Sequence, residues 1–146
     1  MNVAKSFVEY MESLGMGTFS TDIFVGGIPQ DAPDNSWWVI SSGGSPIRKN
    51  HTGERIKDYI LDVFYRNTNA EDVYESIQEF EEEINSKGCV QLSGYDTVEM
   101  EASILSTDRD IDNEDRVLSL LQVRISIYQN YRLIFHTKSA NFLYAN

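Results

Sequence analysis

"RIKDYILDVFYRNTNAEDVYESIQEFEEEI", residues 55–84, joins a strand to a helix, and the change of period between them decides the fold. From Arg55 to Tyr65 the pattern repeats every two residues. Tyr59, Leu61, Val63 and Tyr65 share one face, while Ile56, Asp58, Ile60, Asp62 and Phe64 share the other. After Asn67 the period lengthens. Val73, Ile77, Phe80 and Ile84 form a 4-3-4 stripe, opposite Glu75, Gln78, Glu79, Glu82 and Glu83. Thr68 and Glu71 have capping-box spacing, and Asp72 suits a helix N-terminus. Gly88, after Lys87, is a natural C-cap. A long strand with one dry and one mixed face therefore runs straight into an amphipathic helix.

Working outward, Val98, Met100, Ala102 and Ile104 alternate with polar residues, and so do Leu121, Val123, Ile125 and Ile127. These two strands should pair as an antiparallel hairpin across the acidic connector 106–116. Upstream, Val3, Phe7, Tyr10, Met11 and Leu14 predict a helix over about residues 2–14. "DIFV" (22–25) and "WWVIS" (37–41) read as short strands. Between them, Pro29 and Pro33 forbid a regular helix in "GGIPQDAPDNS" (26–36). The expected fold class is α+β: a mostly antiparallel sheet with two helices packed on one face, in the order α-β-β-β-α-β-β. A sheet with an open face or edge invites a neighbouring subunit.

The chain has 146 residues, enough for one domain with a sizeable core. Its formal net charge of −11 opposes independent binding to nucleic acid or to an anionic membrane surface. No run is long enough for a membrane helix, and the N-terminus does not read as a signal peptide. Cys89 is the one cysteine, so no intramolecular disulfide forms; after Gly88 it reads as a buried small hydrophobe.

The motifs for chemistry are weak. "SGGSP" lacks the Gly-Lys-Ser/Thr of a P-loop. Asp108, Asp110, Asp112 and Glu114 alternate like calcium ligands, but the sixth and twelfth positions of an EF-hand loop hold Asn113 and Ser119. His51 and His136 lie apart, without metal-ligand spacing. Asp58 and Asp62 share a strand face at a separation that needs further ligands to hold one metal. Glu81, Glu82 and Glu83 read as a solvated helix face. The reading is therefore non-enzymatic, with no cofactor and no metal. Binding signals are distributed. Trp37 and Trp38 must point to opposite faces of a strand, one of them into the core. Arg48, Lys49 and His51 form a basic cluster in an acidic protein.

"IFVGGIPQDAPDNSWWVISSGGSPIRK", residues 23–49, resembles the tail-terminator (minor tail or minor capsid) proteins of long-tailed bacteriophages. In that family a short strand ends in a Pro- and Asp-containing turn, followed by a hydrophobic strand and a Gly-rich turn with Pro. Phe24–Gly27, Ile28–Asn35, Trp37–Ile40 and Gly43–Pro46 are the corresponding elements. Residues 55–66, 69–87, 96–106 and 117–129 follow the family's later elements in order and length.

The resemblance implies a domain over residues 1–130, with 131–146 as a C-terminal extension, an arm or an extra strand. It implies a virion tail protein assembled in the bacterial host cytoplasm. Copies would form a hexameric ring on the tail tube, end tube polymerisation and join the tail to the head connector. Its partners would be itself, the major tail tube protein and the connector, with DNA passing only through the lumen. The interface candidates are Ile28, Pro29, Pro33, Trp37, Trp38, Arg48, Lys49, His51, Asp108, Asp110, Asp112 and Glu114. A neighbouring neck protein, an acidic cytosolic binding module and a small metal-dependent hydrolase are the other readings.

Overall fold

The computed structural model describes residues 2–49, 51–109 and 115–129. The order is α1 (Val3–Ser13), β1 (Ile23–Val25), β2 (Ser36–Gly44), β3 (Arg48–Lys49), β4 (Arg55–Asn67), α2 (Ala70–Lys87), β5 (Thr97–Arg109) and β6 (Val117–Tyr128). The expected α+β order holds, with the two-residue β3 added inside the loop between β2 and β4. The strands form one sheet in the order β1-β2-β4-β6-β5, with β3 pairing the start of β4. Every pairing is antiparallel except β1 with β2. That parallel pair turns the Pro-rich segment 26–35 into a crossover rather than a hairpin turn.

Both helices cover the same face. The α1 residues Phe7, Val8 and Met11 join Val73, Ile77, Phe80 and Ile84 of α2 in one core with Trp37, Leu61, Val63, Met100, Leu121, Val123 and Ile125 of the sheet. Each large apolar side chain buried there stabilises the fold by about 1.5–3 kcal/mol. The period-two and 4-3-4 stripes of the sequence are this interface.

The cap of α2 differs from the expected one. Asn69, not Thr68, is the N-cap, and its Oδ1 accepts from the backbone N–H of Glu71 and Asp72. A shift of one residue keeps the same chemistry, because Asn caps as well as Thr or better. At the other end Gly88 takes a left-handed φ of 69°, and its N–H donates to the Ile84 carbonyl. Two further expectations fail. Cys89 is exposed, its Sγ lying 3.2 Å from the Thr97 carbonyl. The strand β5 runs on to Arg109, so Asp108 lies on a strand opposite Leu118 rather than in a loop.

The sheet edges are less open than the sequence implies. On the outer edge of β5, Asn85 of α2 imitates a neighbouring strand. Its Nδ2 donates to the Ala102 carbonyl (2.9 Å) and its Oδ1 accepts from the Ala102 N–H (2.8 Å). The Met100 N–H donates to the Gly88 carbonyl, and the Ile104 N–H to the Glu81 carboxylate. Glu81 is thus an edge cap rather than part of a purely solvated face. At the other edge, β1 has only three residues, and the Ser20 N–H donates to its Ile23 carbonyl. Such blunting opposes addition of a foreign strand. Asn85→Ala should cost roughly 1–2 kcal/mol in urea denaturation, from two lost hydrogen bonds. The variant should also aggregate more readily, because it exposes the β5 edge.

Candidate interaction surfaces

The strand β2 separates the two Gly/Pro-rich loops. It runs from Ser36, beside the 26–35 crossover, to Gly44, beside the 45–54 turn. At about 3.3 Å per residue, these sites stand some 25–30 Å apart, at opposite ends of the sheet.

The first end is built around the crossover. Arg66, buried at the end of β4, donates from Nη2 to the carbonyls of Ala32 (3.4 Å) and Pro33 (3.3 Å). The Ser36 hydroxyl donates to the Pro33 carbonyl at 2.6 Å. Arg116, just before β6, pairs with Asp34 at 3.2 Å and ties the crossover to the β5–β6 connection. Ile28 is half-buried, and Pro29 and Pro33 are exposed. The exposed Asp31, Asp34 and Asp115 lie at this end, with Glu71 and Asp72 at the start of α2. Asp110, Asp112 and Glu114 lie outside the described residues, as does the proposed arm 131–146.

The second end is basic. Arg48 and Lys49 of β3 are exposed, and His51 lies in the turn that follows. Arg55, Lys57 and Lys87 add positive charge there, against Glu54 and Asp96, and against Glu83 and Asp58, which pair with Lys87 and Arg48. The structure therefore brings Pro29 and Pro33 together with Arg116 and Asp115, and keeps them away from Arg48, Lys49 and His51.

The two tryptophans divide as the alternation requires. Trp37 is buried and stacks on Tyr65 at 4.2 Å in the core. Trp38, half-buried on the opposite face, stacks on Phe64 at 5.1 Å with an interplanar angle of 10°. Ile40, Ile60, Leu118 and Leu120 share this second face by strand register and are half-buried. Among the described residues, neither helix packs on it, since both contribute to the core on the other side.

Toward the basic end the second face becomes charged. Asp58 accepts from the Ser126 hydroxyl (2.6 Å) and from Arg48 (3.2 Å), and Arg124 lies 3.5 Å away. Arg124 also pairs with Glu101 at 2.9 Å and Glu99 at 3.6 Å. Partial burial works to raise the Asp58 pKa. The hydrogen bonds from Ser126 and Arg48, with the charges of Arg48 and Arg124, outweigh it and hold the carboxyl below its ordinary value. No sequence spacing announces this network, because its members meet only through the pairing of β3, β4, β6 and β5.

A group with a depressed native pKa contributes stability above its unfolded pKa, near 3.9 for Asp, and loses it as pH falls through the native value. Thermal melting across the acid range should therefore show stability falling below about pH 4. Asp58→Asn should make that fall shallower. Asp58 is thus committed to a structural ion network, and no group of three or more His, Cys, Asp or Glu among the described residues is placed to hold a metal ion. Asp62, two residues from the Trp38–Phe64 stack, has a different environment. Its Oδ1 is buried and accepts no hydrogen bond among the described residues.

On the helical side, a cleft of about 340 Å³ opens between the end of α1 and α2. Trp37, Tyr65 and Phe80 line it, with Glu79 and Glu83. Beside it, burial and then the Glu83 charge push the Tyr10 hydroxyl up to about 12. The sequence required one of Trp37 and Trp38 to be core but gave no sign that the Trp37–Tyr65 stack lines a cleft.

No family model matches the chain, and no curated protein matches it. Among solved structures, a chain from the virion of a native gene transfer agent particle is similar. It is 14% identical with a TM-score of 0.41, over 74% of this chain and 79% of that one. A similarity of that degree carries no argument about function.

Proposed function

We propose that this chain is a virion structural protein that closes into a ring on the head-proximal end of a phage tail tube. The ring ends tube polymerisation and joins the tail to the head connector. One observation carries this reading: two loop sets of opposite charge stand at opposite ends of a rigid sheet. A terminator must present two different surfaces, one to the tube and one to the connector. The acidic crossover end and the basic β3 end are two such surfaces on one subunit. The resemblance of residues 23–49 to tail terminators supports the same reading.

The blunted edges bear on how a ring would close. Ring closure needs a heterologous contact that returns on itself by rotation. With Asn85 occupying the β5 edge and β1 only three residues long, that contact draws on loops and faces rather than on strand addition.

Electron microscopy of tails assembled without this chain tests the proposal. Overlong tubes are the expected result, and purified chain mixed with tube protein should assemble to hexamers. Tubes of normal length that fail to join heads would assign the chain to the neck instead. Tails indistinguishable from the complete particle would remove the proposal altogether.

A further inference from the structure

On the helical side of the sheet, the cleft of about 340 Å³ joins an apolar wall to an acidic rim. Leu14 and Met16, just past α1, and the rings of Trp37, Tyr65 and Phe80 make the apolar part. The rim is one face of α2, where Ser76, Glu79 and Glu83 follow at steps of three and four residues. Glu79 and Glu83 stand one turn apart, and like charges at that spacing repel. Glu83 pairs with Lys87, whereas Glu79 has no ion pair among the described residues. Beside Glu83, the Tyr10 hydroxyl is buried without a hydrogen bond of good geometry. Buried polar atoms left in that state are uncommon in folded proteins. The cleft therefore combines apolar surface with acceptors that the described residues leave underused.

We infer that this cleft takes the side chain of an arginine presented by a partner protein. The aliphatic stem lies against Leu14, Met16 and the rings, and the guanidinium reaches Glu79 and Glu83. A guanidinium carries five donors in a planar fork that matches carboxylates, and it stacks on aromatic surface; an ammonium lacks the fork. The volume stands at the small end of ligand sites, which run from roughly 300 to 1,000 Å³. The carboxylates on α2 hold one charged head, but Leu14 and Met16 offer no polar side chain to fix a second end. A free molecule that is polar at both ends is poorly held by such a cleft, whereas a side chain has its far end carried by its own backbone. Leu14 is exposed and gives that backbone apolar surface to cover. The net charge of −11 favours a basic partner. This inference stands apart from the proposed ring and needs no tube protein.

Nuclear magnetic resonance titration of the isotope-labelled full chain with the capped peptide acetyl-Gly-Arg-Gly-amide tests it. The Trp37 indole N–H and the Glu79 and Glu83 amides should shift and saturate in the millimolar range. The Trp38 indole, on the opposite sheet face, should stay in place. The same peptide with citrulline for arginine keeps the shape without the charge, and should bind about tenfold more weakly or worse. The Glu79→Gln/Glu83→Gln double variant should lose a similar factor for the arginine peptide. Glu75→Gln/Glu82→Gln, at exposed positions of α2 outside the cleft, should lose less than about twofold. Shifts that never saturate, equal affinity for the citrulline peptide, or equal losses in the two double variants would overturn the inference. So would free arginine binding more tightly than the capped peptide, since the cleft would then read a small molecule's own termini.

Discussion

Phe80→Ala should cost about 3–5 kcal/mol of folding free energy. Phe80 is 3% exposed and sits where α1, α2 and the sheet meet. Its ring meets Trp37 edge-on, with centroids 5.7 Å apart, and lies 5.8 Å from Phe7 and 6.3 Å from Tyr10. Removing it deletes contacts to both helices' partners at once. It also deepens the neighbouring cleft, so the surroundings have little with which to fill the space. A loss of this size is a large part of the 5–15 kcal/mol typical of a folded domain. The melting temperature should fall by roughly 10–15 °C. Tyr74, on the same helix but 48% exposed, supplies the contrast. Tyr74→Ala should stay within about 0.5 kcal/mol of the parent. Urea denaturation of the two variants reads the difference directly. A Phe80→Ala cost below about 1 kcal/mol would mean that the aromatic cluster does not join the helices to the sheet.

Phe80 was legible because local periodicity reports burial. Its place in the stripe Val73, Ile77, Phe80, Ile84 marks the face that must be covered, and the alternation in β4, β5 and β6 marks the surface that covers it. Opposite faces for Trp37 and Trp38 follow from the same geometry. Features that depend on which strands become neighbours left no local trace. The parallel β1–β2 pairing cannot be read from two short apolar runs separated by prolines. The pairing of Asn85 with Ala102 joins residues 17 apart in sequence, on a helix and an edge strand, and a helical Asn looks like any polar surface residue. Asp58 reads from the sequence as a weak candidate metal carboxylate because Ser126 and Arg124, which engage it, lie far along the chain. Cys89 was misjudged for a related reason: the residues after the Gly88 cap form an irregular loop, where apolar type no longer implies burial. The separation of the two Gly/Pro-rich loops was hidden too. They are close in sequence, yet the length of β2 carries them to opposite ends.

That separation leads to the second large effect. If the two ends bind different partners, reversing charge at one end should break one joint and spare the other. Lys49→Glu with His51→Glu alters the basic end without touching the Arg48–Asp58 pair. Asp31→Lys with Asp34→Lys alters the acidic end, at the loss of the Asp34–Arg116 pair, in which Asp34 is 55% exposed. Arg116 is only 12% exposed in that pair, so the acidic-end variant should lose about 1–3 kcal/mol of stability, while the basic-end variant should fold with nearly parental stability. Binding is another matter. Repulsive charge placed in an interface costs several kcal/mol, so each variant should lose roughly a hundredfold or more in affinity for one partner. The same variant should hold its affinity for the other partner within a few fold. In assembled particles, one variant should give overlong tubes and the other should give tubes of correct length that do not join heads. Which variant gives which outcome assigns the ends. A pair of variants that weaken both joints equally would show that the two ends do not act separately, and the division of labour along β2 would have to be abandoned.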